Sequence, residues 1–573
     1  MYKQLASTRR TGANCITTQG AHKTTDSVTR HLLEATMKRL VKAVILLTSL
    51  GCKATCLQSL SVVNDFDNIE SSANLTWTPC FDDNFSCSRL EVPLDYANKS
   101  LGTTSIAFLK MAGKNATAES QSIVIVPGGP GGSGVDLLFS YKDFVGTALG
   151  EQYNFVSFDP RGVNNSGPSL DCFSGNTEAR TAFNKLHSTG ITNASTTSLS
   201  EQYYSSLIYG EWCNAAIEKE SPFGYYVTTP AVARDLLTFV EAEAEAAGRT
   251  PSDAKLWAYA SSYGTVLGST FASMFPDRLG RMVLDGIPDA EQYYDNYWID
   301  SVDQMDEAIE TFSTFCHSAG AEKCSFWGPS PANITARLDA IISTLQSHPM
   351  PISGVQNNGV PALVTYSDLK ALFINTLYLP VALFPQMADI LHQLEGGDAS
   401  GLVGRFESIA LGLTSDAGTI IRCADSYRRN KLSTLEEWKG FVEGSVARSK
   451  YVGDIWPIFL ETILCTAMRP ELPDSLVIQE PSVGLNRSTS FPMLFTSNTI
   501  DPITPLSFAQ NASSRFPGSV LLLQEAVGHT VVENGGSTCY FAYVQGYFAG
   551  LVPPANITCP QAYVPFIDSP INL

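Results

Sequence analysis

Leu256-Trp257-Ala258-Tyr259 runs directly into Ala260-Ser261-Ser262-Tyr263-Gly264-Thr265, and helix-type spacing follows through Phe275. A short apolar run closed by small residues predicts a buried strand, and the change of period after it predicts a helix. Between the two the chain must turn sharply, and a small-x-Ser-x-Gly sequence is the form in which such a turn presents a serine hydroxyl. The positions two before and two after the serine must be small because backbone segments crowd there. Gly264 meets that demand, while Ala260 stands where a glycine is usual. Ser262 is the candidate nucleophile and Ser261 its neighbour.

Outward from this turn, short apolar runs recur at Ile106–Met111, Ser122–Val126, Tyr153–Phe158 and Arg281–Leu284, with helical patterns at Pro230–Ala247 and Thr265–Phe275. Buried strands alternating with helices predict an α/β fold, a mostly parallel central sheet flanked by helices. From about 291 to 485 the texture changes. Segments 302–316, 334–347, 367–395 and 434–448 carry helix-type spacing and clear strand runs are scarce, before strands return at Pro492–Thr496 and Ser519–Leu523. The expected organisation is a first core segment over 76–290, a large, mainly helical cap insertion over 291–485, and the rest of the core over 486–573. No fixed-period repeat is visible.

A serine nucleophile needs a base. Of seven histidines, His22 and His31 lie near the start and His187, His317, His348 and His392 sit in loop or helix-face contexts. Only His529 directly follows a strand run, at the glycine turn of Val527-Gly528-His529. The strand Pro492–Thr496 ends in Asn498-Thr499-Ile500-Asp501, which places Asp501 where it can hold an imidazole and stabilise its cation. An oxyanion site is the third requirement. Ser122–Val126 opens into Pro127-Gly128-Gly129-Pro130-Gly131-Gly132-Ser133-Gly134, whose backbone N–H groups can approach a developing negative charge; the second donor is the amide of Tyr263. Gly129-Pro130-Gly131-Gly132-Ser133-Gly134 matches the spacing GxGxxG, a weak signal by itself, while GxxxxGK[ST] is absent; the oxyanion reading is taken because it forms one consistent set with Ser262, Asp501 and His529. The order Ser262…Asp501…His529 is that of α/β-hydrolases.

These residues resemble a family. Val126-Pro127-Gly128-Gly129-Pro130-Gly131 is similar to the His-Gly-Gly-Pro-Gly loop of proline iminopeptidases and tripeptidyl aminopeptidases, with Pro127 in place of histidine. Phe158-Asp159-Pro160-Arg161-Gly162, Ser262-Tyr263-Gly264-Thr265 and Asp501-Pro502-Ile503-Thr504-Pro505 look like further family segments. The tail, with Cys423 before Asp425 and Cys539 and Cys559 after His529, resembles the C-terminal domain of secreted tripeptidyl aminopeptidases. The resemblance implies an exopeptidase working through a Ser262–His529–Asp501 acyl-enzyme, with the Gly129 and Tyr263 N–H groups as the oxyanion hole. It also implies acidic residues for a substrate amino group, for which Asp289, Glu291, Asp295, Asp300 and Asp303 are candidates among many acids. It calls for no metal or organic cofactor. Two alternatives stay open, because fold does not fix substrate. One is hydrolysis of a small-molecule ester, lactone or amide; the other is a non-catalytic, hydrolase-like binding protein.

Composition narrows the setting. The 573-residue chain carries a net charge of −19, which argues against a nucleic-acid partner, since phosphate neutralisation needs a basic surface. Lys38, Arg39 and Lys42 precede a short apolar run, Ala43–Leu50, and small residues around Gly51 and Ala54. This reads as a secretory signal peptide within residues 1–54, with 1–36 as an upstream extension, and the run is too short to span a membrane. Without that segment 28 basic and 54 acidic side chains remain, a charge of −26. Asn-x-Ser/Thr sequons occur at Asn74, Asn84, Asn98, Asn115, Asn164, Asn193, Asn333, Asn486, Asn511 and Asn556. Of 13 cysteines, Cys15 and Cys52 fall in the leader segment and Cys56 lies at its edge, leaving ten from Cys80 to Cys559. An even number suits an oxidising compartment and disulfides; pairing in chain order would make five local bridges, while the count leaves connectivity open. No CxxC or Cys/His cluster suggests zinc. The expected protein is secreted and N-glycosylated, with the secretory lumen or a cell wall as alternatives, and its partner is a peptide or small-molecule substrate.

Overall fold

Short apolar runs become strands wherever both of their faces can be covered, and here they assemble in a fixed succession along the chain. They are β1 (Thr78–Cys80), β2 (Phe85–Pro93), β3 (Thr103–Ala112), β4 (Ser122–Val126), β5 (Asn154–Phe158), β6 (Leu256–Ser261) and β7 (Leu279–Asp285). After these come β8 (Met350–Ile352), β9 (Ala362–Val364), β10 (Leu494–Ile500), β11 (Val520–Val527) and β12 (Ile557–Cys559). This computed structural model describes residues 62–568 apart from 83, 355–359, 407–414, 479–482, 485 and 486. The predicted leader over 1–54 and the sequon residue Asn486 therefore lie outside the described residues. Among the described residues, β8 and β9 form a separate hairpin and the other ten strands make one sheet in the order β1-β2-β3-β5-β4-β6-β7-β10-β11-β12. β1, β2 and β3 are antiparallel, as is the β3–β5 pair, and every pair from β5 to β12 is parallel.

Period-two alternation sorts the strand residues onto two faces. Ile123 and Ile125 of β4 join a core with Leu138 and Tyr141 of the helix Gly134–Tyr141 and with Val544 and Tyr547 of the helix Thr538–Phe548. Val124 and Val126 join the opposite core with Leu236 and Phe239 of the helix Thr229–Ala246 and with Leu267 and Phe271 of the helix Tyr263–Met274. With helices on both faces, the carboxyl ends of the parallel strands form one open edge, the usual place for a ligand in such sheets. β4, β6, β7, β10 and β11 all point their carboxyl ends there.

A third core belongs to a layer of helices, among them Met305–Ala319, Pro331–Ser347, Asp416–Asp425 and Leu435–Arg448. The continuous helical pattern over 367–395 resolves into two helices, Tyr366–Tyr378 and Pro380–Glu395. Proline disfavours helical backbone in the residue before it, and Leu379 accordingly adopts φ −134° and ψ 65°. The layer also draws on residues before 291. The helices Thr177–His187 and Ser198–Glu220, inserted between β5 and β6, share its core, and Gly210 packs so tightly on Ala467 that a Cβ there would lie 2.5 Å from the Ala467 Cβ. Five disulfides join the ten cysteines in chain order: Cys80–Cys87, Cys172–Cys213, Cys316–Cys324, Cys423–Cys465 and Cys539–Cys559. Among the described residues no helix is long and apolar enough to cross a membrane.

Just past β5, Arg161 is buried and all five of its N–H groups are matched. Nε and Nη2 donate to the Asp235 carboxylate at 2.6 and 2.7 Å, Nη1 to the Leu94 and Tyr226 carbonyls, and Nη2 also to the Pro93 carbonyl. The guanidinium thus clamps β2, the loop after β5 and the 229–246 helix together. Removing one partner of a buried pair leaves the other charge uncompensated, so Asp235→Ala is expected to lower unfolding stability by about 3–5 kcal/mol. A urea midpoint unchanged in that variant would show that the clamp is dispensable.

Candidate active site

The strand-to-helix turn is built as the sequence requires. Ser262 has φ 54° and ψ −128°, a left-handed conformation strained for a residue with a side chain, and its N–H is held by the Asp285 carbonyl at 2.9 Å. Strain of this kind lifts the side chain out of the packed turn. From Ala258 to Ala272 every other residue is buried, and Ser262 alone is partly exposed. A Cβ at Gly264 would sit 2.8 Å from the Pro127 carbonyl oxygen, which enforces glycine there. At the other small position the Ala260 methyl is tolerated because it faces Gly268, where even an added Cβ would stay 3.9 Å away.

His529 arrives from β11 across Gly528, whose φ of 127° and closeness to Asn534 admit no side chain. Its Nε2 lies 2.9 Å from Ser262 Oγ, and its Nδ1 lies 3.1 and 3.2 Å from the two Asp501 carboxylate oxygens. Asp501, at the end of β10, is fully buried and accepts from the Ile503, Thr504 and Thr530 amides and from the Thr504 hydroxyl at 2.9–3.1 Å. Burial works against an imidazolium, yet the Asp501 charge and hydrogen bond, together with the nearby Glu533 and Asp285 charges, outweigh it and hold the His529 pKa above the ordinary imidazole range. The helical layer helps to fix the ring. The His529 N–H donates to the Tyr378 carbonyl at 3.1 Å, and the Tyr378 ring meets the imidazole edge-on.

The 127–134 loop folds back beside the serine. Gly128 makes the close approach, since a Cβ there would lie 3.3 Å from Ser262 Cβ and 3.8 Å from Oγ. Gly129, the sequence-based donor, has φ 123° and turns against the Gly131 and Gly132 amides, next to the cis Gly129–Pro130 bond. Tyr263 is the first residue of the 263–274 helix, so its N–H has no partner within that helix. The loop is tied to the end of β5 by Asp159, which accepts from the Ser133 hydroxyl at 2.6 Å and the Val135 amide.

The acids singled out in the insertion are engaged elsewhere. Asp289 caps the helix Ala290–Tyr294, Glu291 pairs with Arg515, Asp295 with Arg429 and Lys431, and Asp300 and Asp303 share Arg448. Two supporting residues escaped the sequence reading. Asp285, a carboxylate closing the buried strand β7, accepts from the Val531 and Val532 amides and from the Tyr259 hydroxyl, fixing the turn after His529. Its signal was a lone charge at the end of an apolar run. Thr504 was visible in Asp501-Pro502-Ile503-Thr504 as a short polar residue three places beyond an aspartate. Among the described residues no group of three or more His, Cys, Asp or Glu is arranged to hold a metal ion. Chemically, a hydroxyl, an imidazole and a carboxylate in line can move a proton from Oγ to Nε2 and stabilise the cation that forms.

Comparison with known proteins adds to this geometry. Residues 121–320 match the family described as "alpha/beta hydrolase fold", and residues 462–559 match "TAP-like protein". The chain is 26% identical to serine protease Hip1 of Mycobacterium tuberculosis over 510 residues, covering 84% of this chain and 90% of the relative. It is 24% identical to a tripeptidyl aminopeptidase of Streptomyces lividans over 522 residues, covering 86% and 88%. It is also 23% identical to a protein named carboxylesterase B from Mycobacterium tuberculosis over 497 residues, covering 82% and 86%.

Proposed function

Because the chain has the α/β-hydrolase fold with a TAP-like C-terminal region, we propose that it is a serine exopeptidase releasing single residues or short peptides from peptide N-termini. The observation that carries this reading is the hydrogen-bonded line Ser262–His529–Asp501 at the open edge of the parallel strands. In the proposed reaction His529 Nε2 takes the Ser262 proton as Oγ attacks the substrate carbonyl. The Tyr263 amide and a glycine amide of the 127–132 loop, Gly129 by the sequence reading, hold the oxyanion. His529 then protonates the leaving amine, and water activated by the same imidazole hydrolyses the acyl-enzyme. The helical layer stands over the site and would restrict entry to chain ends. Two of the relatives described above, named as a serine protease and an aminopeptidase, support peptide over ester as substrate.

A panel of chromogenic mono-, di- and tripeptide amides, with free or blocked amino termini, and p-nitrophenyl esters tests the reading. Amide turnover that requires a free amino terminus is expected. Ester turnover alone would favour the second reading, a small-molecule hydrolase, which the carboxylesterase relative keeps in view.

We further propose secretion with N-glycosylation. Five disulfides support an oxidising compartment, and the nine described sequon asparagines are all exposed. Protein expressed through a eukaryotic secretory route is expected to lose mass on enzymatic deglycosylation; an unchanged mass would refute that part.

A further inference from the structure

The helix Asp416–Asp425 is buried at all ten positions, and its two ends reach the two sides of the oxyanion site. At its start, Gly418 lies directly against Pro130–Gly131. A Cβ at Gly418 would fall 2.5 Å from the Pro130 carbonyl oxygen, and one at Gly131 would fall 2.7 Å from Gly418 Cα. Nothing but two glycines face to face fits this contact. At its end, one Asp425 carboxylate oxygen accepts from the Thr229 amide at 2.6 Å, and the other accepts from the Thr229 hydroxyl at 2.6 Å and the Tyr293 hydroxyl at 2.7 Å. Thr229 Oγ1 in turn lies 2.7 Å from the Tyr263 hydroxyl. Since the Thr229 proton goes to Asp425, Oγ1 is the acceptor for Tyr263. Tyr263 is the residue whose backbone N–H follows the nucleophile.

Both ends are anchored. Asp416 binds Arg180, the Cys172 amide and the Tyr209 hydroxyl, and the Cys423–Cys465 bridge ties the last turn to the chain around 465. The helix is therefore a rigid spacer between the glycine loop and the residue after the serine.

We propose that Asp425 is a positioning residue for the oxyanion site, acting through the Thr229 and Tyr263 hydroxyls, with the Gly418 end of the same helix setting the glycine loop. The inference rests on the serine-hydrolase reading. The direction of the hydrogen bonds makes the carboxylate the sink of the set: ionised, it gives the Thr229, Tyr263 and Tyr293 protons a consistent direction. A proton added at Asp425 turns one hydroxyl away from its acceptor inside a buried cluster. The groups facing the carboxylate are Thr229, Tyr263 and Tyr293, with Tyr294 beside them; Arg422, one turn earlier, is directed to the Leu460 carbonyl. Burial pushes the Asp425 carboxyl up to about 7, against the pull of its Thr229 and Tyr293 hydrogen bonds, so this one carboxyl titrates near neutrality while burial holds the tyrosines around it protonated.

The test uses the full chain, the best panel substrate and a fluorophosphonate that labels an activated serine. Asp425→Asn and Tyr263→Phe are expected to lower kcat about 10–100-fold, less than the complete loss of an oxyanion donor, with KM within threefold and labelling slowed in parallel. The acid side of the kcat profile should also lose one titrating group in Asp425→Asn. Tyr263→Phe removes one hydroxyl and keeps the ring, so it decides the matter should Asp425→Asn not fold. Unchanged kcat in Tyr263→Phe, or a change confined to KM, overturns the inference while leaving the nucleophile assignment intact. Turnover that survives in Ser262→Ala instead overturns the serine reading itself.

Discussion

Ser262→Ala is expected to reduce turnover by roughly 10⁴–10⁶-fold, with the thermal unfolding midpoint within a few degrees of the parent. The magnitude follows from the loss of the covalent route, since what remains is whatever the oxyanion donors and substrate binding supply to direct attack by water. The structural cost is small because Ser262 is the partly exposed residue of the turn and, among the described residues, its Oγ bonds only to His529 Nε2. The measurement is steady-state hydrolysis of the best panel substrate beside a thermal melt of the same preparation. A loss of less than tenfold would move the nucleophile elsewhere, and a collapsed melt would show the hydroxyl to be structural.

Asp501→Asn is expected to lower kcat about 10⁴-fold and to move the acid limb of the pH profile downward. Only neutral His529 can take the serine proton, so activity rises as pH passes through the imidazole pKa. In the parent the Asp501 charge and hydrogen bond, with smaller help from Glu533 and Asp285, override burial and place that midpoint above about 6.5, the ordinary value. With the charge removed and the burial kept, the imidazolium loses its support and the midpoint drops. The amide also presents an N–H₂ to a site where the Ile503, Thr504 and Thr530 amides all donate, so the imidazole loses its preferred tautomer and orientation. A stopped rate with an unmoved pH limb would mean that Asp501 acts on packing alone.

The juxtaposition of Ser262, Asp501 and His529 was legible because each stands just past the end of a strand that opens on apolar residues, where a polar side chain has few structural reasons to be. The same logic did not reach β2. Its Phe85-Ser86-Cys87-Ser88-Arg89-Leu90-Glu91 alternates polar with apolar residues at a sheet margin, and no continuous run marks it. The Ser198–Glu220 helix escaped for a different reason: its first half buries Ser198, Gln202, Ser205 and Ser206, small and polar residues, and an apolar stripe begins only with Tyr209, Cys213, Ala216 and Ile217. Tertiary packing decided that helix, and it joins the insertion although it lies far earlier in the chain. The acids chosen for a substrate amino group are not set apart by the structure. The conspicuous acids Asp295, Asp300 and Asp303 prove to be paired with cations, while Asp425, which connects to Tyr263 through Thr229, announces itself only once its neighbours from three other chain segments are in place.

The strand order of the sheet has a consequence for timing. β6 and its serine turn are made early, whereas β10 and β11, which deliver Asp501 and His529, follow residues 286–493. Polypeptides emerge from the ribosome amino end first. On the proposed reading, a chain that ends before β10 carries Ser262 without its proton acceptor and would not hydrolyse substrate until its final strands dock. On that reading, placing the base after the nucleophile in the chain delays activity through connectivity alone.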